Sequence, residues 1–449
     1  MQSDFVERPV GTRDYVGCEL TRKRAVEDRL IREFEQWGYQ SVETPLFEYA
    51  ETIARGLHRD EDERLFRLFD REGRTIALRP EMTTPVARVA TTLLAAETLP
   101  LRICYCAKTY SGRSGRAQEP VEVTQAGVEL IGDSGPDADA EIIALMAGGL
   151  RAVGLTEFRF ALGHMGFVQA LFSVLAPGLR TRLRRALIAK DLVAYDATLA
   201  GEVQSLPADW LASLRIMPRI RGGKDAIEQA RSIAFVEAAQ RACDEWQELL
   251  TALSDHGVED VVHLDLGLCL DHEYYTGITI EGYADALGQP IAFGGRYDAL
   301  LAQFGNQAAA TGCVVHVERV LAALGESSCG DPVRRLYYGA NTRRLALAVG
   351  RELRRLEHRV AVAGVAPESE AGASAVGAVT GSGTGRSVAG FAPESETGGS
   401  TIADAAGAMN RGPWAMLAND GAVTASDEDF AALCRDIVRI LAPGGDLSC

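Results

Sequence analysis

Two long extended runs that lie close together constrain the fold more than any other feature of the sequence. They span residues 102–110 and 121–131, and a helical pattern at about residues 84–96 precedes them, itself preceded by an extended run at 74–80. Strands separated by short turns and supported by helices are typical of a mostly antiparallel sheet in an α+β domain. We therefore expect such a sheet with helices packed against it.

The flanking segments continue this pattern of helix and strand. Apolar residues recur at helical spacing before Gly38, a residue that suits the end of a helix, and an alternating run that ends at Pro45 follows. The predicted elements are a helix at 21–37, a strand at 39–45, a helix at 139–153 and a strand at 158–162.

A long helical stretch then interrupts the sheet. Residues 166–247 carry little turn chemistry, and strand patterns return only from about residue 263. We expect a helical insertion at about residues 168–250, enclosed in a first domain of residues 1–326.

The C-terminal part is predicted to be a small α/β domain of residues 333–449. It follows a Gly/Ser/Cys/Asp/Pro cluster and alternates strand and helix patterns. Residues 362–372 recur with few changes at 388–398, with a Gly/Ser/Ala/Thr stretch between the copies. Two copies are too few for a repeat architecture, and the composition favours a flexible surface insertion at about 364–400.

Composition argues against two classes of partner. The 449 residues are 47% hydrophobic and carry a formal net charge of −16. No run reaches the roughly 18 apolar residues of a membrane span, and the N-terminus has no signal-peptide pattern, so we expect no membrane partner and a cytoplasmic location. The negative charge disfavours nucleic-acid binding by bulk electrostatics. Basic stretches at 180–190, 219–224 and 343–359 are typical of solvated helix faces but leave a local basic face open.

The nine cysteines are odd in number, scattered and mostly in apolar surroundings, which indicates reduced thiols. The tightest pair, Cys104 and Cys106, has no second pair near it, whereas a zinc site needs about four ligands. We expect both to pack in the core, and we expect no metal site and no cofactor.

Two pairs of polar residues could line a cleft for a small molecule. Glu81 and Thr83 stand two apart after a strand, so both side chains can point the same way, and a carboxylate beside a hydroxyl suits an ammonium group. Gln125 and Glu129 stand four apart on a strand and share a face, which adds an amide and a second carboxylate.

Tyr274 and Tyr275 would complete the lining with aromatic surface and two hydroxyls. Taken one at a time, each of these six residues is more often an ordinary core or surface residue. Only their combination suggests a binding site.

Together with neighbouring motifs, the six residues resemble the histidyl-tRNA synthetase family, from near the N-terminus to about residue 323. The resemblance implies a class II synthetase fold, in which an antiparallel sheet is backed by helices and the chain dimerises through its first motif. The motifs that carry it are Leu78-Arg-Pro-Glu81, Gln125-Ala-Gly-Val-Glu129, Tyr274-Tyr275, Gly294-Gly-Arg-Tyr-Asp298 and Val317-Glu-Arg319.

The resemblance also implies a pocket for histidine. Glu81 and Thr83 would receive the α-amino group, since a carboxylate and an ammonium form strong charge-assisted hydrogen bonds. The residues that would hold the remainder, including the imidazole, are Gln125, Glu129, Tyr274 and Tyr275.

Three positions depart from the synthetases. Ser111 stands where the family has an arginine that clamps the ATP α-phosphate, and Arg113 stands where a glutamate reads the adenine. Leu270 replaces a second arginine, five residues before Tyr275, while the adenine-stacking arginine is retained as Arg319. Losing preorganised positive charge at a phosphate costs several kcal/mol, so we expect binding without amino-acid activation.

One branch of the family has this profile, namely the non-catalytic regulatory subunits of ATP phosphoribosyltransferase. Resemblance to that branch implies a role in the first step of histidine biosynthesis, with a short-form catalytic subunit as partner, L-histidine as feedback signal and a homodimer within a larger hetero-oligomer. The C-terminal domain weakly resembles a degenerate anticodon-binding domain, so tRNA is not an expected partner. An active histidyl-tRNA synthetase and another synthetase paralogue remain the alternatives.

Overall fold

The computed structural model describes residues 7–56, 65–112, 120–201, 206–270, 274–325, 334–338, 343–356, 360–364, 414–417, 423–425 and 428–441. The chain divides into two compact units, Met1–Ser327 and Ser328–Cys449, and each has its own hydrophobic core. Arg113 and, apart from Gly364, the predicted insertion at about 364–400 lie outside the described residues.

Twelve strands are described in the first unit. They are β1 (Gln40–Ser41), β2 (Phe47–Tyr49), β3 (Arg67–Phe69), β4 (Thr75–Leu78), β5 (Leu101–Tyr110), β6 (Glu122–Ile131), β7 (Phe158–His164), β8 (Arg221–Gly222), β9 (Val262–Asp265), β10 (Ile278–Ala284), β11 (Pro290–Arg296) and β12 (Ala310–His316).

Nine of these strands form one sheet, in the order β1-β5-β6-β12-β11-β10-β7-β9-β8. The pairs β1–β5 and β7–β9 are parallel and the other six are antiparallel. This confirms the expected mostly antiparallel sheet of an α+β domain. The extended run at 74–80 forms β4, which lies in a separate three-stranded sheet, β2-β4-β3.

Eleven α-helices are described in the first unit, and no described helix of the chain is both long and apolar enough to cross a membrane. They are α1 (Gly17–Gln36), α2 (Ala50–Ala54), α3 (Thr83–Thr91), α4 (Pro136–Ala152), α5 (Met165–Phe172), α6 (Pro177–Ile188), α7 (Leu192–Ala200), α8 (Ala208–Ile216), α9 (Lys224–Ser232), α10 (Glu237–Asp255) and α11 (Val317–Ala323).

Helix α1 shows why the apolar spacing predicts its buried face. Val26, Leu30 and Phe34 recur every four residues and are all buried. Leu30 and Phe34 pack over Gly149 of α4, where an added Cβ would meet Leu30 at 3.1 Å and Phe34 at 3.4 Å. Burial of each such side chain stabilises the fold by about 1.5–3 kcal/mol, so α1 is fastened to the domain mainly through this stripe.

Helix α3 ends five residues before the end predicted at about residue 96. At its C-terminus, the Thr91 hydroxyl donates to the carbonyl of Ala87 at 2.9 Å, and the Thr92 hydroxyl donates to that of Arg88 at 2.6 Å. Such local side-chain bonds compete with the backbone ladder. Two consecutive threonines therefore mark the end of this helix.

The predicted helical insertion consists of α6 to α10, and its last helix continues to Asp255, past the predicted boundary at 250. It also contains the short strand β8, which pairs with β9 and so adds an edge to the main sheet. Trp246 of α10 is buried, with its ring 5.4 Å from both the Phe167 and the His164 rings. The insertion is thus joined to the main sheet through both backbone and aromatic contacts.

The second unit is a small α/β arrangement. Its described strands are β13 (Arg334–Tyr338), β14 (Val360–Gly364), β15 (Trp414–Leu417) and β16 (Val423–Ala425), in the sheet order β14-β13-β15-β16, and its described helices are α12 (Arg343–Arg355) and α13 (Glu428–Leu441). Leu336, Val349, Leu353 and Phe430 belong to its core.

The described cysteines follow the expectation except at Cys18. Cys104 is buried, Cys106 is half-buried, and both are free thiols. Cys18 is disulfide-bonded, so the expectation of reduced thiols is wrong at this residue. Spacing along a sequence cannot show which cysteines the fold brings within bonding distance.

The Gly294-Gly-Arg-Tyr-Asp298 motif fastens the end of β11 to the start of α4. The Arg296 guanidinium donates from Nε to Asp139 Oδ2 at 3.0 Å and from Nη2 to the carbonyl of Gly135 at 3.0 Å. Asp298 Oδ1 accepts from the backbone N–H of Ala310 at 2.9 Å. Both members of the Arg296–Asp139 ion pair are buried, so each compensates the other's lost hydration.

Replacing Arg296 by methionine should lower the free energy of unfolding by about 3–5 kcal/mol, because Asp139 would lose the partner of its buried charge. Urea unfolding followed by tryptophan fluorescence measures the change. Arg241→Met is the matched control, since Arg241 is exposed and pairs only with exposed Glu237, and it should shift stability by less than about 1 kcal/mol. Equal effects of the two substitutions would contradict the assignment.

Candidate ligand-binding site

The floor of the candidate site is the face shared by strands β6 and β12. Register pairs Glu129 with Gly312 and Gln125 with His316, so all four residues lie on one face of the sheet. The predicted common face of Gln125 and Glu129 is therefore present. The two residues stand about 13 Å apart, since a strand rises about 3.3 Å per residue.

Glu81 and Thr83 reach this face from the turn into α3. The Glu81 carboxylate accepts from the backbone N–H of Thr84 at 3.1 and 3.2 Å, and the Thr83 hydroxyl donates to Glu129 Oε1 at 2.9 Å. The argument that both side chains follow strand alternation is wrong, because Glu81 precedes the helix and Thr83 is its first residue. The helix start, and not a strand, turns both side chains inward.

Three tyrosines form an aromatic wall beside Glu129. The rings of Tyr274 and Tyr275 lie 4.8 Å apart, and the Tyr297 ring meets Tyr274 edge-on at 5.8 Å. Burial raises the pKa of all three hydroxyls well above their usual range, so they remain protonated donors. The wall can therefore offer hydrogen bonds without adding charge.

These surfaces enclose a cavity of about 520 Å³, a size that suits a small molecule. All six residues proposed from the sequence line it, and so do two of the three positions at which the chain departs from the synthetases. They are Glu81, Thr83, Gln125, Glu129, Tyr274 and Tyr275, with Ser111 and Leu270.

Glu129 is a strongly perturbed acid of the cavity. Its side chain is 1% exposed, and this burial raises the pKa of its carboxyl to about 8, with Glu81 adding to the effect by repulsion. Three hydroxyls donate to it and oppose the rise: Thr83, Tyr105 at 3.1 Å, and Tyr297. The group is poised to take up or release a proton near neutral pH.

The close approach of β12 to Glu129 requires glycine at position 312. A Cβ built on Gly312 would lie 1.8 Å from Glu129 Oε2, far inside any real contact. Glycine is the residue that lets the backbone pass beside the carboxylate. Gly312 of β12 is thereby part of the site.

The cavity differs from a nucleotide site in its charge. Ser111 and Leu270, which we expect to replace two arginines of the synthetases, line it, and none of its described lining residues is lysine or arginine. Arg319, expected to stack on adenine, donates from Nη1 to the carbonyl of Pro290 at 2.5 Å and lies over the ring of Phe293. The described part of the cavity therefore suits a cationic group better than a phosphate.

Several lining residues escape sequence analysis. Tyr105, Glu281 and His316 reach the cavity from three different strands, and Tyr297 reaches it from the turn after β11. Tyr297 belongs to the Gly294-Gly-Arg-Tyr-Asp298 motif, so the sequence did carry a signal that this residue lies near the site. Pairing of Tyr105 with Gly127 is visible only once β5 and β6 are in register.

No group of three or more His, Cys, Asp and Glu side chains in the described part of the chain could hold a metal ion. Cys269 and Cys313 line the cavity, and burial raises the pKa of the Cys269 thiol to about 12. That thiol is therefore an inert wall residue at neutral pH.

The raised pKa of Glu129 predicts a pH-dependent stability. Between its usual pKa of 4.5 and about 8, the folded chain holds a proton that the unfolded chain releases, so the free energy of unfolding falls as pH rises. Glu129→Gln removes this contribution and should gain about 2–4 kcal/mol relative to the native chain from pH ~5 to ~8. Urea unfolding across this range measures it, and parallel curves would refute the raised pKa.

A family model described as histidyl-tRNA synthetase matches residues 11–320. The ATP phosphoribosyltransferase regulatory subunit of Geobacillus thermodenitrificans is 42% identical over 347 residues, which covers 76% of this chain and 86% of that protein. The regulatory subunit of the same name from Moorella thermoacetica is 40% identical over 325 residues, covering 72% of this chain and 83% of the relative.

Solved structures are similar over most of the chain. An ATP phosphoribosyltransferase regulatory subunit/histidyl-tRNA synthetase from Bacillus halodurans is 35% identical, with a TM-score of 0.75 over 83% of this chain and 97% of that one. A histidyl-tRNA synthetase from Nostoc is 16% identical, with a TM-score of 0.69 over 96% of this chain and 99% of the other. The second likeness concerns the fold alone.

Proposed function

The chain belongs to the histidyl-tRNA synthetase family, within its branch of ATP phosphoribosyltransferase regulatory subunits, and we propose that it regulates the first step of histidine biosynthesis by sensing L-histidine. In this role it is not itself a catalyst. It is required by a short-form catalytic subunit that makes phosphoribosyl-ATP, and histidine acts as the feedback signal.

The charge of the cavity supports histidine as the ligand. Glu81 and Glu129 are both buried and face the same space, while no described lining residue is lysine or arginine. Buried carboxylates that face a cavity favour a ligand that brings its own positive charge. An amino acid supplies this charge as its ammonium.

The hydrogen-bonding groups divide between the two ends of histidine. Glu81 and Thr83 receive the ammonium at the start of α3, and Gln125, Glu129 and the two tyrosines hold the rest. A ring N–H of the imidazole donates a hydrogen bond to the Glu129 carboxylate. Because this bond favours the charged form, it lowers the pKa of that carboxyl and releases its proton. Histidine thus replaces hydration that the buried carboxylate lacks.

The same cavity explains why the subunit does not activate amino acids. Adenylate formation places negative charge on the α-phosphate, and preorganised cations stabilise that charge in the transition state. Ser111 and Leu270 offer a hydroxyl and an apolar side chain at these positions. Ground-state binding of histidine needs neither cation, so binding and catalysis are separable here.

The assembly that follows from this role has two kinds of chain. We infer a homodimer of this subunit within a hetero-oligomer that contains the short-form catalytic subunit, located in the cytoplasm. Feedback then requires that histidine favour one state of the assembly over another by its difference in affinity. Neither tRNA nor a membrane belongs to this assembly.

Histidine should raise the melting temperature of the chain, because a ligand that binds only the folded state stabilises it by about 2.7 kcal/mol at 100 times Kd. Glu81→Gln and Glu129→Gln should each abolish the shift, since each leaves the cavity with one carboxylate fewer. Glu237→Gln, an exposed site on α10, is the matched control and should retain it. A shift that survives both cavity substitutions would show that histidine binds elsewhere.

Co-purification with the short-form catalytic subunit tests the regulatory role directly. Adding the chain should switch on phosphoribosyl-ATP formation, and histidine should then reduce it. The chain alone should show no histidine-dependent exchange of pyrophosphate into ATP, because the α-phosphate has no cation to stabilise it. Exchange at an ordinary synthetase rate would instead identify an active synthetase, and an unchanged transferase rate would exclude the regulatory role.

A further inference from the structure

A stack of protein side chains occupies one end of the cavity. Phe293 of β11 and His316 of β12 both line it, with their ring centroids 5.1 Å apart. The Arg319 guanidinium lies 5.6 Å from the centroid of the same Phe293 ring. A guanidinium within about 6 Å of a ring centre forms a cation–π contact, so Phe293 already takes the stacking partner that a bound base would use.

Sheet register places this stack away from Glu129. Phe293 pairs with Val314, and His316 pairs with Gln125, whereas Glu129 pairs with Gly312. His316 therefore stands four residues, about 13 Å, along the strand from the position opposite Glu129. The stack and Glu129 therefore lie at different ends of the cavity, and the carboxylate nearest the stack is that of Glu281, which pairs with Phe293 and with Lys190.

We propose that Phe293 and His316 are specificity-determining residues, whose side chains fill the place of a purine and so restrict the cavity to an amino acid. The proposal deepens the histidine-sensing role, on which it rests. It identifies what excludes the nucleoside part of ATP, in addition to the missing phosphate clamp.

The environment of Arg319 supports this role of Phe293. Its Nη1 donates to the carbonyl of Pro290 at 2.5 Å, which orients the guanidinium against the Phe293 ring. The retained arginine therefore contacts a protein ring where a synthetase would present a base. Arg319 is therefore present without being available in the same way to stack on a base.

His316 completes the stack without offering charge to a phosphate. Burial, with Arg319 nearby, lowers the pKa of its imidazole to about 3, so the ring is neutral at physiological pH. The groups that face it are Phe293 and Arg319, with Gln125 opposite on β6. A neutral ring beside Phe293 adds bulk and leaves the charge of the cavity unchanged.

The test measures adenosine binding to the full chain by calorimetry. Adenosine carries no phosphate, so the missing clamp does not affect the result. The native chain should bind it weakly or not at all, and Phe293→Ala, His316→Ala or the double variant should bind it at least about tenfold more tightly, as one base–ring or base–guanidinium stack allows. Histidine binding should persist, because Glu129 lies about 13 Å along the strand from His316.

Phe304→Ala is the matched control. Phe304 is also a half-buried phenylalanine under an arginine, Arg55, at 5.5 Å, but it does not line the cavity, so its removal should bring no adenosine binding. Circular dichroism identifies the folded variants, and His316→Ala alone tests the idea if Phe293→Ala does not fold.

Two results would overturn the proposal. One is tight adenosine binding by the native chain itself. The other is folded cavity variants that gain no affinity over the native chain. Both readouts are independent of histidine, so a failure of histidine sensing would be recognised separately, by the absence of thermal stabilisation by histidine in the native chain.

Discussion

The buried carboxylate of Glu129 is the constraint on which the site depends. A polar group that is withdrawn from water needs hydrogen bonds from the protein, and here three hydroxyls from three separate elements provide them. Thr83 brings the start of α3, Tyr105 brings β5, and Tyr297 brings the turn after β11. Position 312 must then be glycine, because the Glu129 carboxylate occupies the space that a Cβ at that position would need. Hydrogen bonds to this one carboxylate thus hold the start of α3, strand β5 and the turn after β11 together around β6.

The cavity separates binding from catalysis by its charges. Acidic side chains that suit an ammonium line the cavity, and Ser111 and Leu270 stand where we expect the synthetases to hold a phosphate. Phe293 covers the arginine that would stack on a base. Recognition of an amino acid and stabilisation of a phosphoryl transition state use different groups, so the second can be lost while the first remains. A subunit that senses an end product needs only the first.

Sequence patterns predicted most helices and strands, and the residues that they proposed for the site do line the cavity. They did not always predict the structural reason why a side chain points into it. Gln125 and Glu129 share a strand face, as their spacing predicts. Glu81 and Thr83 also line the cavity, yet the start of a helix directs them, and not strand alternation. Helix α3 ends early because threonine side chains bond to its last carbonyls, an effect that apolar periodicity does not include.

The sequence by itself determined the class of fold and the family, because periodicity and motif identity are local properties of the chain, and it predicted the loss of the cationic clamp. The tertiary structure decided which side chains meet. Tyr105 and Tyr297 join Glu129, and Phe293 joins Arg319, only because distant strands pair in one register. Register is chosen by burial across the whole sheet, since a shift of one residue turns every side chain to the opposite face. That choice cannot be read from any single segment.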